Sequence, residues 1–299
     1  MARSHPPTLI TLVGRALREE CGVARGTRVL LALSGGGDST ALLHVLAILA
    51  KKQGFSLVAH GVDHGLRVQA AAELDAAQAH CEALGVEFSR TVLLLDDGGN
   101  LQARARDARR AALLAAASGT GAGLIATAHH ADDRAETLLL RLMRGSGPFG
   151  LAVLPPRTDV WIRPQCRARK SDVLAHLARH RLAFAEDPSN LNRRFLRTRV
   201  RHELLPLLEQ LSPQIVGHLC ALADALAAGP GSEAPLLDER GVALLLNRAQ
   251  RQLVGRARSL GQRSARVSLP HGRELSLDPV TLEPQVAWVA PAAKRPRKH

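Results

Sequence analysis

The chain has 299 residues, 46% hydrophobic but only 2% aromatic with no tyrosine, so its core is built from Leu, Ala and Val and leans towards helix. Forty Lys and Arg against 27 Asp and Glu give a formal charge of +13, which points to a polyanionic partner, nucleic acid first. Cys21, Cys81, Cys166 and Cys220 form no C-x-x-C pair, which excludes zinc fingers; with no leader pattern and no apolar run of about 18 residues, a soluble cytoplasmic protein is expected.

The first half alternates strand-like and helix-like stretches. Val29 to Leu33 is a short apolar run that ends at a glycine cluster, and Thr40 to Lys52 follows as a helix. Leu57 to Val62 is a second strand, Gln69 to Leu84 a helix, and Val86 to Leu95 holds a third strand. Leu101 to Ala117 is a helix with an Arg-rich face, Gly123 to Ala128 a fourth strand, and Asp132 to Met143 the next helix. This order predicts βαβ units and a parallel sheet, with ligands at the carboxyl ends of its strands. After Gly150 the pattern changes: Pro155-Pro156 marks a break, and a short helix capped by Ser171 is expected up to Arg181. Residues 157–201 hold twelve Lys/Arg and four Asp/Glu, a local net of +8. A helix from Thr198 to Leu211, interrupted by Pro206, precedes a linker at Gly229 to Ser232. A helix at Val242 to Leu260, strand-like pieces at Arg266–Leu269 and Glu274–Leu277, and a basic tail from Lys294 complete the chain. The expected division is 1–155, 156–228 and 229–299.

Two stretches carry chemistry. Ser34-Gly35-Gly36-Gly37-Asp38-Ser39-Thr40 joins a buried strand to a helix. Its glycines let the backbone approach an anion, its N–H groups face phosphates, and its hydroxyls add donors. Asp38 adds negative charge beside that anion, which a bound Mg²⁺ would resolve. There is no G-x-x-x-x-G-K-[ST], so this is not a Walker loop. The second stretch is His129-His130-Ala131-Asp132-Asp133-Arg134-Ala135-Glu136-Thr137. Asp133 and Glu136 share a helix face and can hold Mg²⁺ or a cationic substrate; the same acids also suit a solvated helix start. His129 and His130 are candidate acid/base or hydrogen-bonding groups.

The Ser34–Thr40 segment resembles the PP-loop of the N-type ATP pyrophosphatases, which split ATP into AMP and pyrophosphate. Val62-Asp63-His64-Gly65-Leu66-Arg67 is similar to the V-D-H-G-L-R segment of the tRNA(Ile)-lysidine synthases. His129 to Thr137 resembles their H-H-x-D-D-x-x-E-T, and Arg144-Gly145-Ser146-Gly147 with Gly150-Leu151 their R-G-S-G-x-x-G-L. Asp187-Pro188-Ser189-Asn190 and Arg197-Thr198-Arg199-Val200-Arg201, then Leu205-Pro206, resemble their D-P-S-N, R-N-R-x-R and L-P. The matches run in family order over about residues 26–210.

The resemblance implies an adenine nucleotide alpha hydrolase-like fold, a doubly wound, mostly parallel α/β sheet followed by a smaller helical region. It implies ATP and Mg²⁺ as cofactors, tRNA(Ile) and free lysine as partners, no membrane, and leaves a homodimer open. ATP would adenylate the 2-carbonyl of the wobble cytidine in a CAU anticodon, and lysine would displace AMP. Ser34, Gly35, Gly36, Gly37, Asp38, Ser39, Thr40, Asp63 and His64 would hold the nucleotide, with Asp38 on the metal. Asp38, Asp133, Glu136 and Arg199 are the catalytic expectations; His129, His130, Arg197 and Arg201 would meet the tRNA. Of the three arginines, Arg199 is first choice for the activated phosphate, since a guanidinium binds phosphate through two N–H groups. The sequence departs from the family at Arg134 (usually Gln), Thr198 (Asn), Arg109-Arg110 (Arg-Tyr) and Arg163-Pro164-Gln165-Cys166 (R-P-L-L). The rival readings are a PP-loop tRNA thiolase, which commonly uses clustered cysteines, and a non-catalytic RNA-binding paralogue.

Overall fold

A computed structural model describes residues 7–63, 65, 69–93, 101–185, 195–228, 266–269, 273–277 and 284–288. Met1–Gly229 and Pro230–His299 form two compact units. Within the first, α1 (Leu9–Glu19) leads into β1 (Arg28–Leu33), α2 (Gly37–Gln53), β2 (Ser56–Asp63), α3 (Gln69–Leu84), β3 (Glu87–Val92), α4 (Leu101–Thr120), β4 (Leu124–Ala126) and α5 (Ala131–Met143). The expected strands and helices of this half are all present, and α1 adds one the sequence reading missed. Its apolar face, Leu9, Val13 and Leu17, is buried, and the Thr8 hydroxyl accepts from the Thr11 N–H at 3.3 Å as its cap.

The sheet runs in the order β3-β2-β1-β4-β6-β5. Neighbours pair in parallel except at the edge, where β5 (Arg157–Thr158) lies antiparallel to β6 (Trp161–Ile162). It therefore extends past residue 155. The apolar run of β1 is buried on both faces, as a central parallel strand requires. Successive side chains point to opposite sides. Val29, Leu31 and Leu33 pack with Val13 and Leu17 of α1, Leu42, Val45 and Leu46 of α2, and Val173 and Leu177. Leu30 and Ala32 pack with Val58, Ile125, Trp161 and with Leu113 and Ala117 of α4. Helices thus cover both faces, and the doubly wound α/β fold is as expected.

Beyond α6 (Pro148–Leu151) and the β5–β6 edge, the chain turns helical: α7 (Lys170–His180), α8 (Leu196–Arg199), α9 (Leu205–Leu211) and α10 (Ile215–Ala227). Ser171 does not cap α7. The helix starts at Lys170, and the carboxylate of Asp172 accepts from the Arg169 N–H at 2.8 Å. Between α8 and α9 a widened π turn spans Val200–Leu204, where the Leu205 N–H reaches the Val200 carbonyl. Pro206, which has no N–H and whose ring crowds the preceding turn, follows at once and accounts for the widening. α5 packs on this helical part through Ala131, Ala135 and Leu139 against Val200, Leu205, Val216 and Cys220.

The second unit has a three-stranded antiparallel sheet, β7 (Arg266–Leu269), β8 (Arg273–Leu277) and β9 (Pro284–Trp288), in that order. Its third strand was not expected. His64, the 187–190 motif, the linker at 229–232, the 242–260 helix and the tail from 294 lie outside the described residues.

Gly35 is held at φ +78°, and a Cβ there would stand 2.5 Å from the Glu73 carbonyl oxygen of α3. A Cβ on Gly36 would meet nothing closer than the Ser34 hydroxyl at 3.7 Å. Gly35→Ala is therefore expected to lower stability in urea unfolding by about 1–3 kcal/mol, and Gly36→Ala by clearly less. Equal losses would remove the distinction between the two glycines.

Candidate active site

In the sheet, β1 has β2 on one side and β4 on the other, all parallel, so the chain order reverses between β1 and β4. A crevice opens at such a switch point, outside the carboxyl ends of the strands. The loop after β1 and the loop after β4 border it.

The first loop is closed by its own hydroxyls. Ser39 Oγ accepts from the Ser34 N–H at 3.2 Å, lies 3.1 Å from Ser34 Oγ, and donates to the Gly36 carbonyl at 2.9 Å. Thr40 Oγ1 donates to the Gly35 carbonyl at 3.5 Å. Ser39 and Thr40 are buried, and these hydroxyls fix the loop. Gly37 admits Phe184, whose ring would stand 3.0 Å from a Cβ there. Gly36 bridges in parallel to Ala185, and the Ala185 N–H donates to the Gly35 carbonyl at 3.1 Å.

Asp38, in the first turn of α2, has one carboxylate oxygen 2.5 Å from Lys170 Nζ and the other 3.8 Å from His130 Nε2. A cation thus already stands against the carboxylate expected to hold a metal. Lys170 was missed in the sequence; its one signal there is its place at the start of a helix after a proline break. Gln165 also reaches this turn, its Nε2 donating to the Asp38 carbonyl at 3.3 Å.

His130 caps α5: its Nδ1 accepts from the Asp133 N–H at 3.3 Å, and its own N–H donates to the Asp133 carboxylate at 3.1 Å. Nε2 faces Asp133 at 3.4 Å as well as Asp38. Burial opposes charge on His130, but Asp132, Asp133 and Asp38 outweigh it and raise its pKa above the usual 6.5. His129 takes the opposite course. Burial, joined by Arg163, Arg197 and Arg109, pushes it down to about 4 against the pull of Asp133. It is neutral near pH 7, with Nδ1 3.0 Å from the Thr127 hydroxyl.

The acids after His130 are all paired. Asp132 accepts from Arg169 at 2.9–3.2 Å and from the Lys170 N–H at 2.8 Å. Burial would raise its pKa, but bonds from His130, Arg169 and Lys170 hold it well below the carboxylate range. Glu136, 1% exposed, accepts from Arg197 Nε at 3.1 Å and from Arg201 at 2.6 and 3.0 Å. Asp133 accepts from the same two guanidinium groups at 3.1 and 3.3 Å. Burial opposes ionisation of Asp133, yet His130, His129, the backbone and Arg197 lower its pKa. These acids are the buried anchor of two arginines.

Arg197 and Arg201 stand one helical turn apart and so share a face; Arg199, two residues from each, lies on the other. It pairs with Glu203 at 3.0 Å and is exposed. The first choice among the three arginines is thus the one that the structure does not bring to the carboxylates. Asp63 ends β2, and its carboxylate accepts from the Gly65 N–H at 2.8 Å, which closes the turn after the strand. Ser34–Thr40, Asp38, His130, Asp133, Glu136, Arg197 and Arg201 form one connected set.

The loop, switch point and cluster have a match among known families: residues 11–208 fit the model of the PP-loop domain. The chain belongs to the PP-loop family. Curated relatives of this PP-loop protein bear out the resemblance drawn from the motifs. The tRNA(Ile)-lysidine synthase of Xanthomonas axonopodis pv. citri is 40% identical over 224 residues, 73% of this chain and 49% of that protein. Those of Pseudomonas fluorescens and Geobacter sulfurreducens are 39% and 37% identical over 70% and 75% of this chain, and 47% and 50% of theirs. The chain spans about half the length of the curated relatives it matches. Among solved structures, a U34-tRNA thiolase from Methanococcus maripaludis has the same fold, with a TM-score of 0.62 at 19% identity over 79% of this chain and 86% of that one. Among the described residues no helix is long and apolar enough to cross a membrane.

Two predictions follow from this geometry. In a double-mutant cycle, Glu136→Gln and Arg201→Gln should couple by about 1–2 kcal/mol, less than a fully buried pair because Arg201 is about a third exposed. Additive losses would mean that the pair stabilises nothing. For His129, the unfolded chain takes up the proton before the folded one, so stability falls as pH drops from 6.5 towards about 4. His129→Gln should melt with a shallower pH dependence across that window than the parent, and an unaltered slope would contradict the assignment.

Proposed function

We propose that the chain carries an ATP-dependent ligation in which the C2 carbonyl oxygen of the wobble cytidine, in a tRNA(Ile) with a CAU anticodon, is adenylated and free lysine then displaces AMP to leave lysidine. The observation that carries this reading is the single connected set in which a phosphate loop, Asp38 and an acid-anchored arginine pair meet at the switch point. The likeness to tRNA(Ile)-lysidine synthases supplies the substrate.

Each group then has a task. The N–H groups of residues 35–37 and the start of α2 face the phosphates, and pyrophosphate leaves from there. Asp38 is the carboxylate suited to Mg²⁺, with the Lys170 ammonium beside it; Asp63 and His64 belong to the nucleotide side. The metal, when bound, offsets charge that develops on the phosphates. Arg197 and Arg201, held from behind by Asp133 and Glu136, direct their remaining N–H groups at the activated phosphate or the tRNA backbone. Arg199, on the other face, is left for the tRNA backbone. Lysine must attack as a neutral amine, with a carboxylate or histidine of the site accepting its proton. Residues 1–155 would serve ATP and 156–228 the tRNA side.

Thiolation shares the fold, but its chemistry needs a reactive thiolate. All four cysteines are buried, and burial pushes Cys21 up to about 11 and Cys81 and Cys166 to about 12.

The protein incubated with ATP, Mg²⁺, labelled lysine and tRNA(Ile) should place label in the RNA and release pyrophosphate. Asp38→Asn should lose both by about 10²-fold or more while remaining folded. Sulfur in the RNA, or no lysine incorporation by the parent protein, would overturn the reading.

A further inference from the structure

Away from the crevice, three imidazoles meet between two helices. His44 lies on α2, and His176 and His180 lie one turn apart on one face of α7. One nitrogen from each falls within 4.8 Å of the others, and His44 Nδ1 is 3.0 Å from His176 Nε2. The ring centroids are 4.4–5.1 Å apart. Besides burial, the groups that act on His176 are His180, His44 and Arg179. A pair of buried imidazoles can share one hydrogen bond, but a third ring turned to the same point is not needed for it.

We propose that His44, His176 and His180 bind a borderline divalent transition-metal ion, Zn²⁺ in preference, and that this ion clamps α2 to α7. The donors suit the class: neutral imidazoles select zinc, copper, nickel or cobalt over magnesium and calcium. Two histidines at i and i+4 on a helix are a recurring half of such sites. Ligand nitrogens around a tetrahedral zinc stand about 3.3 Å apart, given Zn–N bonds of about 2.0–2.1 Å. The His44–His176 separation is already close to that. Burial and the neighbouring imidazoles lower the His44 and His176 pKa values, the latter to about 4, so both rings are unprotonated near pH 7. His180 is exposed, which leaves the fourth position to water.

The position gives the clamp a purpose. His44 follows Asp38 by six residues and His176 follows Lys170 by six. The two helices therefore run side by side from the Asp38–Lys170 pair, and the triad crosses between them about 9 Å further along. An ion there fixes the spacing of the two helix starts that face the crevice, whatever reaction takes place in it.

Co²⁺ titrated into the full chain, after dialysis against a chelator, should bind with one ion per chain and give visible bands of a low-symmetry imidazole site, which Zn²⁺ then abolishes. Zn²⁺ should also raise the melting temperature. His180→Ala removes an exposed ligand without touching the core. It should weaken binding by at least the roughly tenfold that loss of even an outer-shell partner costs, and remove the thermal shift. His218→Ala, at an exposed histidine on α10, should change neither. Failure of the parent chain to retain cobalt, or equal affinity in His180→Ala, would overturn the site.

Discussion

The first two turns of α5 carry Asp132, Asp133, Arg134 and Glu136, all of them poorly exposed, and charges taken out of water must be neutralised where they stand. Each finds its partner in a later part of the chain. Asp132 takes Arg169, Asp133 and Glu136 take Arg197 and Arg201, and Arg134 takes Asp224 of α10 at 2.7 Å. The docking of residues 163–185 and 195–224 onto the sheet domain therefore follows from charge as much as from the apolar contacts of α5. It also changes the meaning of the basic segment 157–201. Much of its +8 faces inward: Arg163 donates to the Pro155 carbonyl, Arg167 to Glu20 and Asp224, and Arg169 to Asp132 and Glu209. Arg179 and Arg181 are exposed and remain on the outer surface.

The same constraint prepares the site. In the proposed function, two guanidinium groups fixed on buried carboxylates would lose little freedom when an anion arrives, so their donors would be set in place beforehand. The π turn at Val200–Leu204 belongs to this arrangement, because Arg201 sits within it and Pro206 enforces it. Asp38 and Lys170, at the starts of α2 and α7, complete a cluster in which cations and carboxylates alternate around His130.

Positions that depart from the lysidine synthase pattern have structural partners. Arg134, in place of Gln, is fully buried, and its bond to Asp224 is one link of a chain through Arg167 to Glu20 just after α1. Two of its nitrogens, Nε and Nη1, have no partner among the described residues. Arg110, in place of Tyr, lays its guanidinium 4.6 Å from the centre of the Trp161 ring. Cys166 is fully buried where the pattern has Leu and serves as a small apolar side chain. Gln165, in the adjacent Leu position, reaches the backbone of Asp38.

The sequence by itself determined the doubly wound sheet and the phosphate loop. Its βαβ alternation, the two-sided apolar run of β1 and the glycine cluster are local patterns that depend on neighbours in the chain. It also held the fact that Arg197 and Arg201 share a face, since their spacing is one helical turn. It did not reveal α1 or α10, whose apolar faces acquire meaning only against other elements, nor the two-residue strands at the sheet edge. Only the tertiary structure decided that Asp133 and Glu136 hold arginines, that Lys170 stands on Asp38, and that His44 lies against His176 and His180. Those pairs are separated by 61 to 136 positions. Charge pairing and imidazole contact act through space at a few ångströms, and no periodicity along the chain records which distant side chains the fold will bring that close.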